Sequence, residues 1–137
     1  MSLREVQLVY SSRPFGYDDL TLTGILLRAR ENNARSGITG TLICRGDLFL
    51  QMLEGPCDAV ASTFERIARD ERHADVVQLL CRDIDKRLFP DWSMRHDPVQ
   101  SWMWTPEEVG KGAICEASER EILEIFERLA KEPPGGL

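Results

Sequence analysis

The chain has 137 residues, 42% hydrophobic and 29% charged, with a net charge of −6. That length allows one compact domain with a real core and a short appendage, and the acidic balance argues against direct nucleic-acid binding, which needs clustered Lys and Arg. No apolar run approaches the roughly 20 residues that span a bilayer, and the N-terminus has no apolar signal region, so the expectation is a cytoplasmic protein without membrane contact.

Residues 4–11 read as a strand with Val6, Leu8 and Tyr10 on one face. Asp18 or Asp19 can cap a helix carrying Leu22, Ile25, Leu26 and Ala29 at helical spacing; the stripe ends on Asn32 and Asn33, and Gly37 terminates it. Two apolar runs, 38–44 and 48–54, joined by Arg45-Gly46-Asp47, predict a hairpin. Pro56 is placed to start a second helix, striped by Val60, Ala61, Phe64, Ile67 and Ala68 and running to about Arg72. Residues 76–81 read as a strand, and residues 92–96 as a shorter one. The order βαββαββ predicts an α+β, ferredoxin-like sheet with two helices on one face.

After Asp97 the pattern changes. Thr105-Pro106-Glu107-Glu108 and Ser118-Glu119-Arg120-Glu121 are two capping boxes, the second opening a helix with Ile122, Leu123, Phe126, Leu129 and Ala130 on one face. These helices are expected to cover the other side of the sheet, making residues 1–97 one domain and 98–137 a helical extension with a frayed tail.

Enzyme and metal signatures are absent from the sequence. Gly37-Ile38-Thr39-Gly40 follows a helix and begins a strand, which suits a tight connection. Cys44, Cys57, Cys81 and Cys115 form no C-x-x-C pair and are expected to be reduced and mostly core-filling. With only His73 and His96, no metal site is expected.

Polar residues in apolar settings carry more information. In Leu48-Phe49-Leu50-Gln51-Met52-Leu53 both faces are apolar apart from Gln51, so this is a central strand and Gln51 should be buried. A buried amide without partners costs on the order of 1–3 kcal/mol. The first and third strands, taken as adjacent and parallel, bring Tyr10 within reach of Gln51, and Asn33 extends the buried stripe of the first helix into the same layer. A ligand site and a polar network that merely orders the core both satisfy this geometry.

At these residues the sequence resembles the BLUF family, the blue-light sensors that use FAD. The matching pieces are Leu8-Val9-Tyr10-Ser11-Ser12, then Asn32 through Gly40, Phe49-Leu50-Gln51-Met52-Leu53-Glu54-Gly55, Asp70-Glu71-Arg72-His73, and Arg87 through Met94. The resemblance implies FAD held non-covalently between the two helices, with FMN or riboflavin as substitutes. Ile25 and Phe49 would lie against the ring, Asn33 on its polar edge and Asn32 near the ribityl or phosphate side. Arg66, Asp70 and His73 would contact the chain or ring edge.

By the same resemblance Tyr10 is the electron donor, Gln51 the bridge to the flavin, and Ser12 a support beside Tyr10. Trp92 and Met94, alternating onto one face of the last strand, would exchange proximity to the flavin and carry the signal. Rotation and tautomerisation of the Gln51 amide both fit. The implied protein is a sensor and no enzyme, signalling to a downstream protein partner or through a homodimer. Ferredoxin-like enzymes and ligand-free regulatory domains are the competing classes, and no catalytic Arg–Asn or His–carboxylate arrangement favours the first.

Overall fold

The computed structural model describes residues 4–14, 19–70, 73–100 and 102–132. Within them run β1 (Glu5–Pro14), α1 (Asp19–Ser36), β2 (Thr39–Arg45), β3 (Leu48–Pro56), α2 (Cys57–Ala68), β4 (His73–Ile84), β5 (Arg95–Pro98), α3 (Pro106–Gly110), α4 (Ala113–Glu116) and α5 (Glu119–Ala130). The strands form one sheet in the order β4-β1-β3-β2-β5.

β1 and β3 are adjacent but antiparallel, with Tyr10 opposite Gln51, which corrects the expected parallel sense. The cause is the connection. The α1 crossover returns the chain so that β2 runs with β1, and the tight hairpin at Gly46-Asp47 then lays β3 between them, against both. β5 adds to β2 in parallel at the edge. Gly37 ends α1 in the left-handed region (φ 72°) while the Ile38 amide returns to the Asn33 carbonyl at 2.9 Å, a glycine-closed helix end that also positions Asn33.

Several boundaries differ from the sequence reading: β1 runs on to Pro14 rather than residue 11, and β4 spans His73–Ile84 rather than 76–81. Pro56 belongs to the end of β3 and serves as the residue before α2, with ψ at 136°. α2 closes at Ala68 rather than Arg72, because the Arg69 and Asp70 amides fold back onto the Arg66 and Ile67 carbonyls. The last strand begins at Arg95, not Trp92. There, the carbonyls of Trp92, Ser93 and Met94 are taken in turn by the Gly40 amide (3.0 Å), Asn33 Nδ2 (2.8 Å) and Arg30 Nε (3.0 Å), so residues 92–94 are pinned as a turn.

The sheet separates two cores. α1 and α2 bury Leu22, Ile25, Leu26 and Val60 against Leu8, Tyr10, Leu42, Phe49 and Leu53. On the other side α4 and α5 bury Ile114, Ile122, Phe126 and Leu129 against Val9, Ile43, Leu50 and Met52. β3 is therefore buried on both faces from Leu48 to Gly55, which is why its side chains are almost all apolar. Both predicted capping boxes form, Thr105 with Glu108 and Ser118 with Glu121.

Only Cys44 among the cysteines is fully buried. Cys57 is half-buried, and Cys81 on the edge strand and Cys115 on α4 are exposed, against the core-filling expectation. An edge strand and a one-turn helix each leave one side open to water. No helix among the described residues is long and apolar enough to cross a membrane.

Candidate flavin site

A cavity of about 280 Å³ lies between α1, α2 and the sheet. Its polar wall follows from the β1–β3 register. Tyr10 and Gln51 stand opposite one another and project to the helix side, where the Tyr10 hydroxyl donates to Gln51 Oε1. Gln51 Nε2 in turn donates to Met94 Sδ at 3.1 Å. Tyr10 is 1% exposed and its ring packs at 5.6 Å on Phe64. Burial, and secondarily the Asp70 charge, pushes the phenol far above its ordinary range, so Oη keeps its proton.

The apolar walls come from Ile25 and Ala29 of α1, Leu42 and Leu53 of the sheet, and Ile67 of α2. Buried Asn33 reaches the cavity from the end of α1 while its Nδ2 holds the Ser93 carbonyl. At the exposed rim stand Arg28, Arg66 and Arg69, with half-buried Asn32 and Asp70 beside them. Asn32 Oδ1 accepts from Arg35 at 2.9 Å, and Arg66 donates to Thr63 Oγ1 at 3.3 Å.

Tyr10, Ile25, Asn32, Asn33, Gln51, Arg66 and Asp70 thus meet on one cavity. Phe49 does not line it; it lies one alternate position from Gln51, in the core opposite Ser12, and both residues are buried. The side chain of His73 falls outside the described residues. Trp92 and Met94 do not share a face. Trp92 is 38% exposed and Met94 1%, because both precede the strand and the turn geometry, not strand alternation, sets their directions.

The sequence reading missed Arg28 and Arg69 at the rim, since a charged residue on a helix surface reads as solvated. It also missed a buried carboxylate across the sheet. Glu54, fully buried, accepts from Gln7 Nε2 (2.8 Å), the Leu88 amide (2.9 Å) and the Phe89 amide (2.8 Å). Alternation in β3 could have flagged it, because Glu54 continues the apolar face of Leu50 and Met52.

These residues suit a flavin. A planar heterocycle requires an apolar slot with few placed polar groups. Among the described residues, the Nε2 end of Gln51 donates to a thioether, a weak acceptor, and so has donor capacity for a ring edge. Three arginines at the rim match the charge of a dinucleotide's phosphates.

Comparison with known proteins agrees. The family model for BLUF, "Sensors of blue-light using FAD", matches residues 6–95. The chain is 41% identical over 76 residues to the photoactivated adenylate cyclase subunit beta of Euglena gracilis, covering 55% of this chain and 9% of that protein. It is 39% identical over 61 residues to the blue light- and temperature-regulated antirepressor BluF of Escherichia coli, covering 44% of this chain and 15% of that one. The chain therefore spans only a small part of these curated relatives.

Among solved structures, the dark state of the BLUF protein BlrB superposes with a TM-score of 0.77 at 31% identity, covering 93% of this chain and 96% of that one. The photo-activated state of BlsA gives 0.80 at 26%, covering 97% and 99%. On its fold, its cavity and these matches, the chain belongs to the BLUF family, the sensors of blue light that use FAD.

Proposed function

We propose that light is read in this chain by the hydrogen bonds of Tyr10, Gln51 and Met94. The support is one observation: a buried series from Tyr10 Oη to Gln51 Oε1 and from Gln51 Nε2 to Met94 Sδ, on the wall of the cavity. Bound flavin supplies blue-light absorption and, when excited, oxidising power. Tyr10 is the electron and proton source, its proton already directed at Gln51 Oε1. Gln51 can both donate and accept, so an amide that turns over or tautomerises exchanges partners at both ends. Asn33 and Ile25 orient the ring, Ser12 supports β1 beside Tyr10, and Asn32, Arg66, Asp70 and His73 serve the polar side chain of the cofactor.

In this reading residues 1–97 are the sensor and residues 98–137 the extension through which it acts. The chain performs no substrate chemistry of its own, and its output passes to a protein partner or a second copy. The cyclase activity named for the Euglena relatives is a statement about proteins of which this match forms 9%.

The test is the absorption spectrum of the purified, FAD-loaded protein before and after blue illumination. A reversible red shift of the flavin bands is expected. Gln51→Leu should keep the flavin and abolish the shift. A shift of normal size in that variant removes Gln51 from the mechanism, and a protein that takes up no flavin removes the site.

A further inference from the structure

Met94 and Arg95 are consecutive residues with opposite surroundings. Met94 belongs to the core on the flavin side of the sheet, where its sulfur meets Gln51. Arg95 opens β5 and is 3% exposed. Its Nη2 donates to Asp97 Oδ1 at 3.2 Å and to the Glu132 carbonyl at 2.8 Å, just past the end of α5. Nε lies 2.9 Å from Asp97 Oδ2, and the guanidinium stands 5.7 Å from the centre of the Phe89 ring. Asp97 is itself fully buried and is held by Thr41 Oγ1 at 2.7 Å. A buried guanidinium is therefore clamped between an edge strand and the carboxyl end of a helix, where the helix dipole favours a cation.

From this arrangement we infer that Arg95 is the positioning residue that couples the Gln51–Met94 contact to α5, resting on the light-switch reading above. The Met94 carbonyl is tied to Arg30 of α1, so a change in where the Met94 side chain sits acts on the peptide linking residues 94 and 95 and not on a free loop. Arg95 cannot absorb that change by swinging, because Asp97, itself held by Thr41, fixes its guanidinium. The strain is passed to its other partner, the Glu132 carbonyl, and so to the end of α5. Arginine suits the task because one planar fork serves a carboxylate and a carbonyl together, which a lysine ammonium cannot do in the same geometry.

The test uses the FAD-loaded full chain, with hydrogen exchange of α5 followed in darkness and under continuous blue light, beside the flavin spectrum. The parent should show a light-dependent change in α5 exchange. In Arg95→Lys the red shift should persist while the α5 change falls by at least half. Should the buried lysine, which keeps the charge but loses the fork, fail to fold, the paired substitution R95M/D97N removes both charges and should behave in the same way. An α5 response of parental size in these variants overturns the proposal, as does a parent that red-shifts with no change in α5. A parent with no red shift overturns the switch reading itself, and the proposal with it.

Discussion

Replacing Glu54 should destabilise the protein by an amount that depends on how many of its three donors keep an acceptor. Oε2 takes Gln7 Nε2 and the Leu88 amide, and Oε1 takes the Phe89 amide. In Glu54→Gln the best orientation sets the remaining oxygen at the two-donor position and turns the NH2 group, itself a donor, against the Phe89 amide, which loses its acceptor at a cost of about 1–3 kcal/mol. Gln7 cannot rescue this by turning over, since its Oε1 already accepts from Arg82 Nε at 3.0 Å. Glu54→Leu leaves all three donors unmet, less the gain from relieving a buried carboxylate, for a net loss of about 3–5 kcal/mol. At roughly 2–4 °C per kcal/mol for a domain of this size, Leu should lower Tm by about 10 °C and Gln by about half that. Thermal and urea unfolding at fixed FAD concentration measure both, because bound cofactor itself raises stability. If the two variants fall together within about 0.5 kcal/mol of the parent, Glu54 does not hold residues 88–89 as described.

Gly40→Ala should cost more than about 3 kcal/mol, since φ is 156° and a Cβ there would run into the Met52 carbonyl oxygen; a parental unfolding curve contradicts this. Met94→Leu removes the acceptor of Gln51 Nε2 and should alter the rate of dark recovery of the flavin spectrum more than Trp92→Ala, whose indole is partly in water; equal effects would count against Met94 as the reader. The Arg87 guanidinium grips Glu5 at 2.8 and 2.6 Å and holds its carboxyl below the ordinary 4.5. A lowered folded value contributes stability that is complete above 4.5 and is lost below it, as pH falls through the lowered folded value, so Glu5→Gln should flatten the acid limb of a Tm-against-pH curve. An unchanged acid limb would show that this pair adds nothing.

What could be read in the sequence was whatever periodicity encodes. Gln51 stood out because alternation placed it inside a strand apolar on both faces, and Asn33 because it prolonged an apolar helix stripe. The register then set Tyr10 directly opposite Gln51. Alternation is the same in either direction, so it does not carry the antiparallel sense of β1 against β3, where parallel pairing is expected from the sequence. Alternation in Trp92-Ser93-Met94 reads as a strand, yet three donors from α1 and β2 hold those carbonyls in a turn. Arg30 and Arg95 escaped notice for another reason. A single charged residue beside a polar one reads as surface, and only tertiary packing shows that its partners are buried. The resemblance brought Phe49 to the ring, whereas the packing retains it in the core one alternate position away.

The described residues lining the flavin cavity all fall between Tyr10 and Asp70. Nothing from α3, α4 or α5 contributes to that wall, although those helices cover the opposite face of the same strands. The covering is thus interchangeable in principle: another element could take its place without touching the chromophore, provided it presents apolar side chains to Ile43, Leu50 and Met52. Such an exchange would also need a partner for the cation at the start of β5. One sensor could then be fitted to different outputs by trading its back cover, with the colour of the light it reads left unchanged.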